Sequence, residues 1–275
     1  MALRLMLALL LLAAAGLPQE PARQQNTGSN TPYVETSEKQ FAFYPGGKLE
    51  ISAAAPGSCR ITGWDSAVVR VEMEKIFYYA TAEQAQSLAK LYPARISYTQ
   101  TLAKISTTGS KKPVGNMEIN IQVLVPRERT DFNIKMIKGD LAVASFSGSV
   151  EATIEEGNIE ARDLGGYFSL MTKRGDLQVE LSGPRWLGYG FTGATRRGSI
   201  DLRLPVDYSA AIQLETRDGK ISLDYPEQMI EGESVPLRVL EKKKASAVKE
   251  KIGTGGVPIK LMTATGNIIF KGIAR

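Results

Sequence analysis

Leu170–Val179 reads LMTKRGDLQV, Leu214–Leu223 reads LETRDGKISL, and Leu261–Phe270 reads LMTATGNIIF. A fourth copy, around Thr195 and Gly198, matches in part. All four place a threonine three residues before a glycine, and a polar residue and alternating apolar residues follow that glycine. Because alternation sends successive side chains to opposite faces of a β-strand, each copy predicts a strand, a sharp corner at the glycine and a second strand. We expect the threonine to satisfy turn amides or to stack on its equivalents.

The glycines upstream follow a fixed step, at positions 139, 148, 157, 166 and 175. Two such steps make a coil of 18 residues, and later coils lengthen to 23 and 21. Glycine permits the positive φ of a sharp corner, and coils stacked about 4.8 Å apart bury their inward rows together. We therefore predict an all-β fold, a β-solenoid of short stacked coils (about 18–23 residues) that is clearest over 134–275. Independent hairpins are the alternative, but a fixed step is difficult for a meander to produce.

The part before the repeats is β-rich but more irregular. It carries one short predicted helix, Thr81–Leu91, with Thr81 and Gln84 as a capping box. Residues 230–256 are predicted as a charged insertion between coils, in which Glu241–Lys251 forms either a small helix or a mobile loop. We expect the last strand, Ile259–Lys271, to close the stack.

Residues 1–16 have the features of a signal peptide. Arg4 supplies the positive charge, Leu5–Ala14 the apolar run and Ala13–Ala15 the small residues for cleavage. The run is shorter than the roughly 20 apolar residues that an uncleaved anchor needs. We therefore predict an exported chain, periplasmic, at the cell surface or extracellular, without an integral membrane span. A disordered linker at 17–36 and a single elongated domain at 37–275 follow the signal peptide.

The chain resembles the bacterial putative-adhesin β-strand repeat family, an adhesin-like class of unknown function. The matching residues are GKLEI at 47–51, CRITGWD at 59–65, Val125–Pro126 leading into Gly139–Leu141, and the repeated threonine–glycine units. The resemblance covers about 41–272. It implies a β-solenoid of the adhesin type, an envelope location and no established enzyme activity.

Composition excludes several kinds of chemistry. The chain has no histidine, which removes Ser-His-Asp catalysis and imidazole metal sites. The single cysteine, Cys59, removes thiolate zinc sites and internal disulfides. Cys59 alternates in phase with Ile61 and is predicted to be a small buried hydrophobe, with a reactive thiol as the alternative.

No cofactor and no metal is predicted. Calcium was considered because some nonapeptide β-rolls bind it, but only some corner residues, such as Asp140 and Asn158, could be ligands. The formal net charge of +5 is spread along the chain. It favours weak attraction to anionic glycans and lipids, and no nucleic-acid partner is predicted.

Four residues form the candidate ligand surface: Trp64, Trp186, Tyr189 and Arg174. Aromatic rings can present a flat face to sugars, although packing in the core is the alternative for them. The tripeptide at Arg174–Asp176 spells Arg-Gly-Asp, but its glycine and aspartate already belong to the repeat.

The predicted function is that of a non-enzymatic envelope protein, without catalytic residues, whose β-solenoid surface serves binding or scaffolding. Its predicted partners are an envelope glycan, a surface protein, or its own copies through the solenoid ends. The alternative is a carbohydrate-active enzyme with an Asp/Glu pair on adjacent coils, about 5–9 Å apart. The candidates for that pair are Asp176, Asp201, Asp218 and Asp224. A third reading is a structural accessory domain without a ligand site.

Overall fold

The computed structural model describes residues 32–78, 81–108, 117–225, 230–231 and 246–274. Within these residues the protein is all-β with a single helix, and its strands form two large mixed sheets. The predicted signal peptide at 1–16 and most of the predicted linker at 17–36 lie outside the described residues. The end of that linker is ordered, because β1 begins at Tyr33 and pairs with a neighbouring strand over its whole length.

Sheet I has ten strands and one edge at β1. In spatial order they are β1 (Tyr33–Ala42), β4 (Val68–Phe77), β7 (Met117–Pro126), β3 (Cys59–Trp64), β9 (Leu141–Ala144), β11 (Ile159–Arg162), β13 (Leu177–Glu180), β15 (Ile200–Pro205), β21 (Ile268–Ile273) and β17 (Ile221–Asp224).

Sheet II has 11 strands, and the repeats that contribute strands to sheet I also contribute strands to sheet II. In spatial order they are β18 (Ile230–Glu231), β19 (Ser246–Ile252), β16 (Ala210–Asp218), β20 (Pro258–Thr265), β14 (Gly188–Arg197), β12 (Gly165–Arg174), β10 (Ser147–Glu156), β8 (Asp131–Lys138), β2 (Lys48–Ala53), β6 (Leu102–Thr107) and β5 (Ala94–Tyr98).

Parallel neighbours in the middle of both sheets pair positions 18 residues apart. Ile159 of β11 pairs with Leu141 of β9 and with Leu177 of β13. Val150 of β10 pairs with Phe168 of β12 in the same way. Successive nine-residue steps therefore alternate between sheet I and sheet II.

The inward side chains of both sheets share one core. Leu170 of sheet II and Ile200 of sheet I are fully buried at 0% exposure in the same cluster. Phe146 lies between Phe132 and Phe168, with ring centroids 5.4 and 5.7 Å away. Since burial of each such side chain contributes about 1.5–3 kcal/mol, the alternating apolar residues are the main source of stability.

The corner glycines stack in columns. Gly175 has φ of +148°, and a Cβ atom added to it would overlap the carbonyl oxygen of Gly157. Gly157 stands in the same relation to Gly139, and Gly198 to Gly175. A glycine is required here both for its positive φ and because the neighbouring backbone leaves no space for a side chain.

The repeated threonines bind the stacked corners together. Thr195 is 4% exposed, and its hydroxyl donates to the carbonyl oxygen of Gly175 at 2.8 Å. The same bond, also at 2.8 Å, joins Thr172 to Gly157, Thr216 to Gly266 and Thr263 to Gly198. These threonines therefore satisfy a carbonyl group rather than the turn amides that are one expectation from the sequence. The other expectation is confirmed, since Thr195 pairs directly with Thr172 and Thr263 on the neighbouring strands.

The C-terminal repeat does not close the stack, so that prediction is wrong. β20 lies between β14 and β16 in sheet II, and β21 lies between β15 and β17 in sheet I. The preceding repeat, β16 and β17, is thus displaced outward by the last part of the chain. Ile259 of β20 accordingly pairs with both Phe191 of β14 and Ile212 of β16, so β20 is covered on both edges.

The predicted insertion at 230–256 is partly a strand. β19 pairs antiparallel with β16 along its whole length, so the expected helix or mobile loop at Glu241–Lys251 is wrong for residues 246–251. Residues 232–245 lie outside the described residues.

The helix α1 (Ala82–Leu91) confirms the prediction for Thr81–Leu91. The hydroxyl of Thr81 accepts a hydrogen bond from the backbone N–H of Gln84 at 3.2 Å, as an N-cap does. Ala85 and Ala89 are buried against a second apolar cluster that includes Phe77 of β4.

Candidate binding surface

One of the four predicted ligand-surface residues lies in the core. Trp186 is 4% exposed, and its Nε1 donates to the carbonyl oxygen of Gly166 at 3.0 Å. Its ring packs edge-on against Phe168 and Phe191. Trp186 therefore fills the space under an irregular turn and presents no ring face to a ligand.

The other three residues do not form one site. Trp64 is half-buried at the end of β3 in sheet I, where its Nε1 donates to the carbonyl oxygen of Val68 at 2.9 Å. Tyr189 is 87% exposed at the start of β14 in sheet II. Arg174 ends the neighbouring strand β12, about 23 Å from Tyr189 at roughly 3.3 Å per residue. Arg174 is in phase with the inward-facing Thr172 and lies next to the corner at Gly175, so it is not on the outer face of sheet II.

The outer face of sheet II carries an apolar row that the sequence analysis missed. Met171 of β12, Ala194 of β14 and Met262 of β20 pair directly across neighbouring strands. The two methionines are 45% and 40% exposed. Because the alanine between them is short, they become the walls of a groove of about 430 Å³. This volume lies within the range of small-ligand sites.

A basic row runs along one side of this groove. Lys173 and Arg196 line it two residues beyond Met171 and Ala194, and Arg217 lines it two residues beyond Glu215, an exposed carboxylate that also lines the groove. Two residues along a strand span about 7 Å. The groove therefore combines an apolar floor with a positively charged side.

Ion pairs compensate this basic row only in part. Lys173 lies 2.7 Å from Glu155, and Arg217 lies 3.0 Å from Asp218. Arg174 and Arg197 are directly paired across β12 and β14, and Arg174 lies 3.1 Å from Glu156. Within the described part of the chain, neither Arg196 nor Arg197 makes an ion pair. Arg174 and Arg197 share the inward phase of Thr172 and Thr195 and do not line the groove, so Arg196 is the cation of the basic row that these ion pairs leave uncompensated.

The repeat itself explains why these residues share one face. Thr172, Thr195 and Thr263 point inward, so the residues immediately before and after each of them point outward. The outward positions before the threonines are Met171, Ala194, Met262 and Glu215, and those after them are Lys173, Arg196, Ala264 and Arg217. These are the variable positions of the repeat, and comparing them between copies could have revealed the surface.

The outer face of sheet I is different, because its charges neutralise one another. Arg203 lies 2.9 Å from Asp201 and 3.8 Å from Glu180, and Arg162 pairs with Glu160. The Asp201 carboxylate raises the pKa of Arg203, first through a hydrogen bond. This face offers a ligand less uncompensated charge than sheet II does.

The corner carboxylates are used as hydrogen-bond acceptors. Asp140 accepts from the N–H of Asn158 at 2.7 Å, Asn158 from that of Asp176 at 2.9 Å, and Asp176 from that of Ser199 at 2.7 Å. Among the described residues there is no group of three or more aspartate, glutamate or cysteine side chains arranged to hold a metal ion.

The four aspartates considered for catalysis do not face one another across strands. Asp201 pairs with Gln178 and Ile269, Asp218 with Thr265, and Asp224 with Lys271. Asp176 lies at the column of corner residues just described. The register therefore supplies no obvious carboxylate pair from this set.

A larger concavity of about 690 Å³ lies where turns between the sheets meet. Arg127, Arg129 and Arg185 line it together with Glu128 and Asp163. The side chain of Arg127 is already held by Asp65, with Nε and Oδ1 2.6 Å apart. Because this concavity carries both positive and negative side chains, it favours ligands of one charge sign less than the groove on sheet II does.

Cys59 confirms the prediction of a buried hydrophobe. It is 1% exposed within the main core. Burial raises the pKa of its thiol to about 12. The thiolate, which is the reactive form, is therefore strongly disfavoured in the folded protein.

Among residues 32–78, 81–108, 117–225, 230–231 and 246–274, no helix has the length and apolarity needed to cross a membrane.

No family model matches the chain, and no curated protein does either. Among solved structures, a "putative cell adhesion protein" from Clostridium sporogenes is 11% identical, with a TM-score of 0.45 over 87% of this chain and 100% of that chain. A "putative adhesin" from Bacteroides fragilis is 10% identical, with a TM-score of 0.32 over 87% and 97%. A "putative lipid binding protein" from Parabacteroides distasonis is 13% identical, with a TM-score of 0.23 over 90% and 97%. Proteins described as adhesins are thus among the structures similar to this chain.

Proposed function

We propose that this protein is an exported, non-enzymatic β-solenoid of the cell envelope that binds a partner on the outer face of sheet II. The observation that carries the proposal is the groove between Met171 and Met262, whose basic side is compensated only in part by ion pairs among the described residues. Adjacent exposed apolar side chains with polar residues around them are typical of an interaction surface. A binding partner supplies the apolar contact and the negative charge that this face lacks.

The solenoid part of the proposal is supported by the spacing of the repeats. Equivalent positions pair 18 residues apart in both sheets, and glycines of successive corners stack on one another. A stack of this kind gives a rigid support on which outward residues of neighbouring repeats form continuous rows. We propose that residues 37–275 form this single unit after a signal peptide at 1–16 and a linker.

Self-association through the solenoid ends remains a prediction. The edge strand β1 carries Glu35, Glu38 and Lys39, and charges on an edge strand disfavour pairing with another copy. The outer face of sheet II is therefore the stronger candidate for an interaction surface.

The test is retention of the mature chain, from about residue 17 onward, on isolated envelope polymers and surface extracts. We expect saturable retention without release of sugar ends. The double variant Met171→Glu and Met262→Glu should lose at least about tenfold in affinity, because two carboxylates would stand in the apolar row.

Ile137→Glu is the matched control. Ile137 is 55% exposed on β8, which belongs to the same sheet but does not line the groove. Equal losses in the control and in the methionine variant would place binding elsewhere. Release of sugar ends would replace the proposal with a carbohydrate-active enzyme, and absence of both retention and release would favour a structural accessory domain.

A further inference from the structure

The groove on sheet II has the shape of a trough along β14. The outward side chains of this strand run Thr192, Ala194 and Arg196. Met171 on β12 and Met262 on β20 stand on either side of Ala194. Neighbouring strands lie about 4.8 Å apart, so the two walls are separated by about 10 Å. This width accommodates one extended apolar chain.

The trough ends at Arg196, a cation that makes no ion pair within the part of the chain that the structure describes. Arg196 follows Ala194 by one pleat and is exposed. Its cross-strand neighbour on one side is Lys173, and Arg217 lines the same end of the groove. Of the carboxylates around this end, Glu155 is paired with Lys173 and Asp218 with Arg217. Glu215 also lines the groove, but it lies on β16 beside Met262, two strands from Arg196. An anionic group at this end would interact favourably with Arg196 without displacing an existing ion pair.

We infer that the groove binds a single-chain anionic amphiphile, with its apolar chain over Ala194 and its acidic headgroup at Arg196. This inference rests on the proposed function, since it names the class of ligand that the same surface takes. The groove has a volume of about 430 Å³ and a narrow floor, which suit a ligand with one apolar chain that binds as a single molecule from solution. Charge complementarity fixes the sign of the headgroup, and the methionine walls adapt to a flexible chain because methionine is itself flexible and polarisable.

The experiment is calorimetric titration of the mature chain with decanoate below its micelle concentration. Acetate, decyl maltoside and decyltrimethylammonium serve as the probes that lack the chain, lack the charge or reverse the charge. We expect saturable binding of decanoate with one molecule per protein. Acetate and decyltrimethylammonium should show no saturable binding, and decyl maltoside should bind at least about tenfold more weakly than decanoate.

Two variants test separately where the ligand's apolar chain and its acidic headgroup bind. Ala194→Leu fills the trough from an outward position and should abolish decanoate binding while the unfolding midpoint stays unchanged. Arg196→Gln should weaken binding about tenfold, as expected for loss of a charged hydrogen bond. Arg162→Gln, on the outer face of sheet I, is the matched control and should bind like the original protein.

Equal binding of decanoate and decyltrimethylammonium, or an Arg196→Gln variant no weaker than Arg162→Gln, would overturn the inference. So would retention on phosphatidylglycerol vesicles without saturable binding of free decanoate, because that result indicates a lipid surface as the partner. If decanoate fails while the methionine variant still loses retention on envelope material, the ligand class is wrong and the proposed function stands.

Discussion

Thr195 illustrates how the repeat uses a polar side chain inside a sheet. Its buried hydroxyl donates to the Gly175 carbonyl oxygen at 2.8 Å. The variant Thr195→Val keeps the shape but leaves that carbonyl group without its donor. We expect a loss of about 1–3 kcal/mol in the free energy of unfolding, measured by urea denaturation. Thr192→Val, outward on the same strand, should change it by less than about 0.5 kcal/mol, and equal effects would contradict this role.

Gly175 and Gly183 separate two reasons why a position requires glycine. Both have positive φ, but an added Cβ overlaps the neighbouring coil only at Gly175 and meets nothing within 4 Å at Gly183. We expect Gly183→Ala to cost about 1–2 kcal/mol, from backbone strain alone. Gly175→Ala should cost more than about 4 kcal/mol or prevent folding, because two strands must also move apart. Similar losses in the two variants would show that the column is not tightly packed.

Cys59 makes stability depend on pH. The pKa of its thiol rises from 9.0 to about 12 on folding, so the unfolded chain loses its proton first. Stability is therefore present below pH 9 and declines as pH rises toward 12. Between pH 9 and 10 we expect a loss of about 1 kcal/mol from this group.

Urea denaturation of the original protein and of Cys59→Ala at both pH values tests this dependence. The variant should be less stable at pH 7, since a cavity replaces the sulfur, but it should lose about 1 kcal/mol less between pH 9 and 10. Burial also raises the pKa of Tyr208 and Tyr225, and these groups begin to contribute as the pH approaches their ordinary value of 10.0, but they do so equally in both proteins. An unchanged pH slope in the variant would contradict the assignment to Cys59.

At the scale of elements, the position of β20 and β21 gives a prediction about truncation. Because β20 lies between β14 and β16, and β21 between β15 and β17, removal of residues 257–275 leaves β16 and β17 without their parallel partners. We expect the truncated chain to lose its single cooperative unfolding transition in urea. Removal of 33–42, the edge strand β1, should preserve that transition at a lower midpoint. If removal of 33–42 abolished the single transition and removal of 257–275 preserved it, the last repeat would be peripheral to the fold.

Local and distant signals account for the successes and errors of the sequence analysis. The helix at Ala82–Leu91 was predictable because its cap, Thr81, lies next to it in the chain. β19 was not, because its charged sequence becomes a strand only by pairing with β16. The order of the last two repeats is equally non-local, since any of the similar repeats could in principle add to the end of the stack.

At the scale of the molecule, the exposed and the buried methionines should differ in their rate of oxidation. Met171 and Met262 are exposed on sheet II, whereas Met73, Met117 and Met136 are at most 4% exposed. We expect dilute peroxide to oxidise Met171 and Met262 well before the other three. Mass spectrometry of peptides measures the rates, and unfolded protein, in which all five should react alike, is the control. Equal rates in the folded protein would contradict the exposed apolar row.

The sequence by itself determined that this chain is all-β, that its corners recur every nine residues and that Cys59 is buried, because alternation and glycine corners are local properties. Only the tertiary structure decided that Trp186 lies in the core while Met171, Ala194 and Met262 form a groove beside Arg196. The physical reason is the stacking itself. Residues separated by 23 and 68 positions become neighbours only when one repeat pairs with another, and the insertion of the last repeat beside β14 brings Met262 to Ala194.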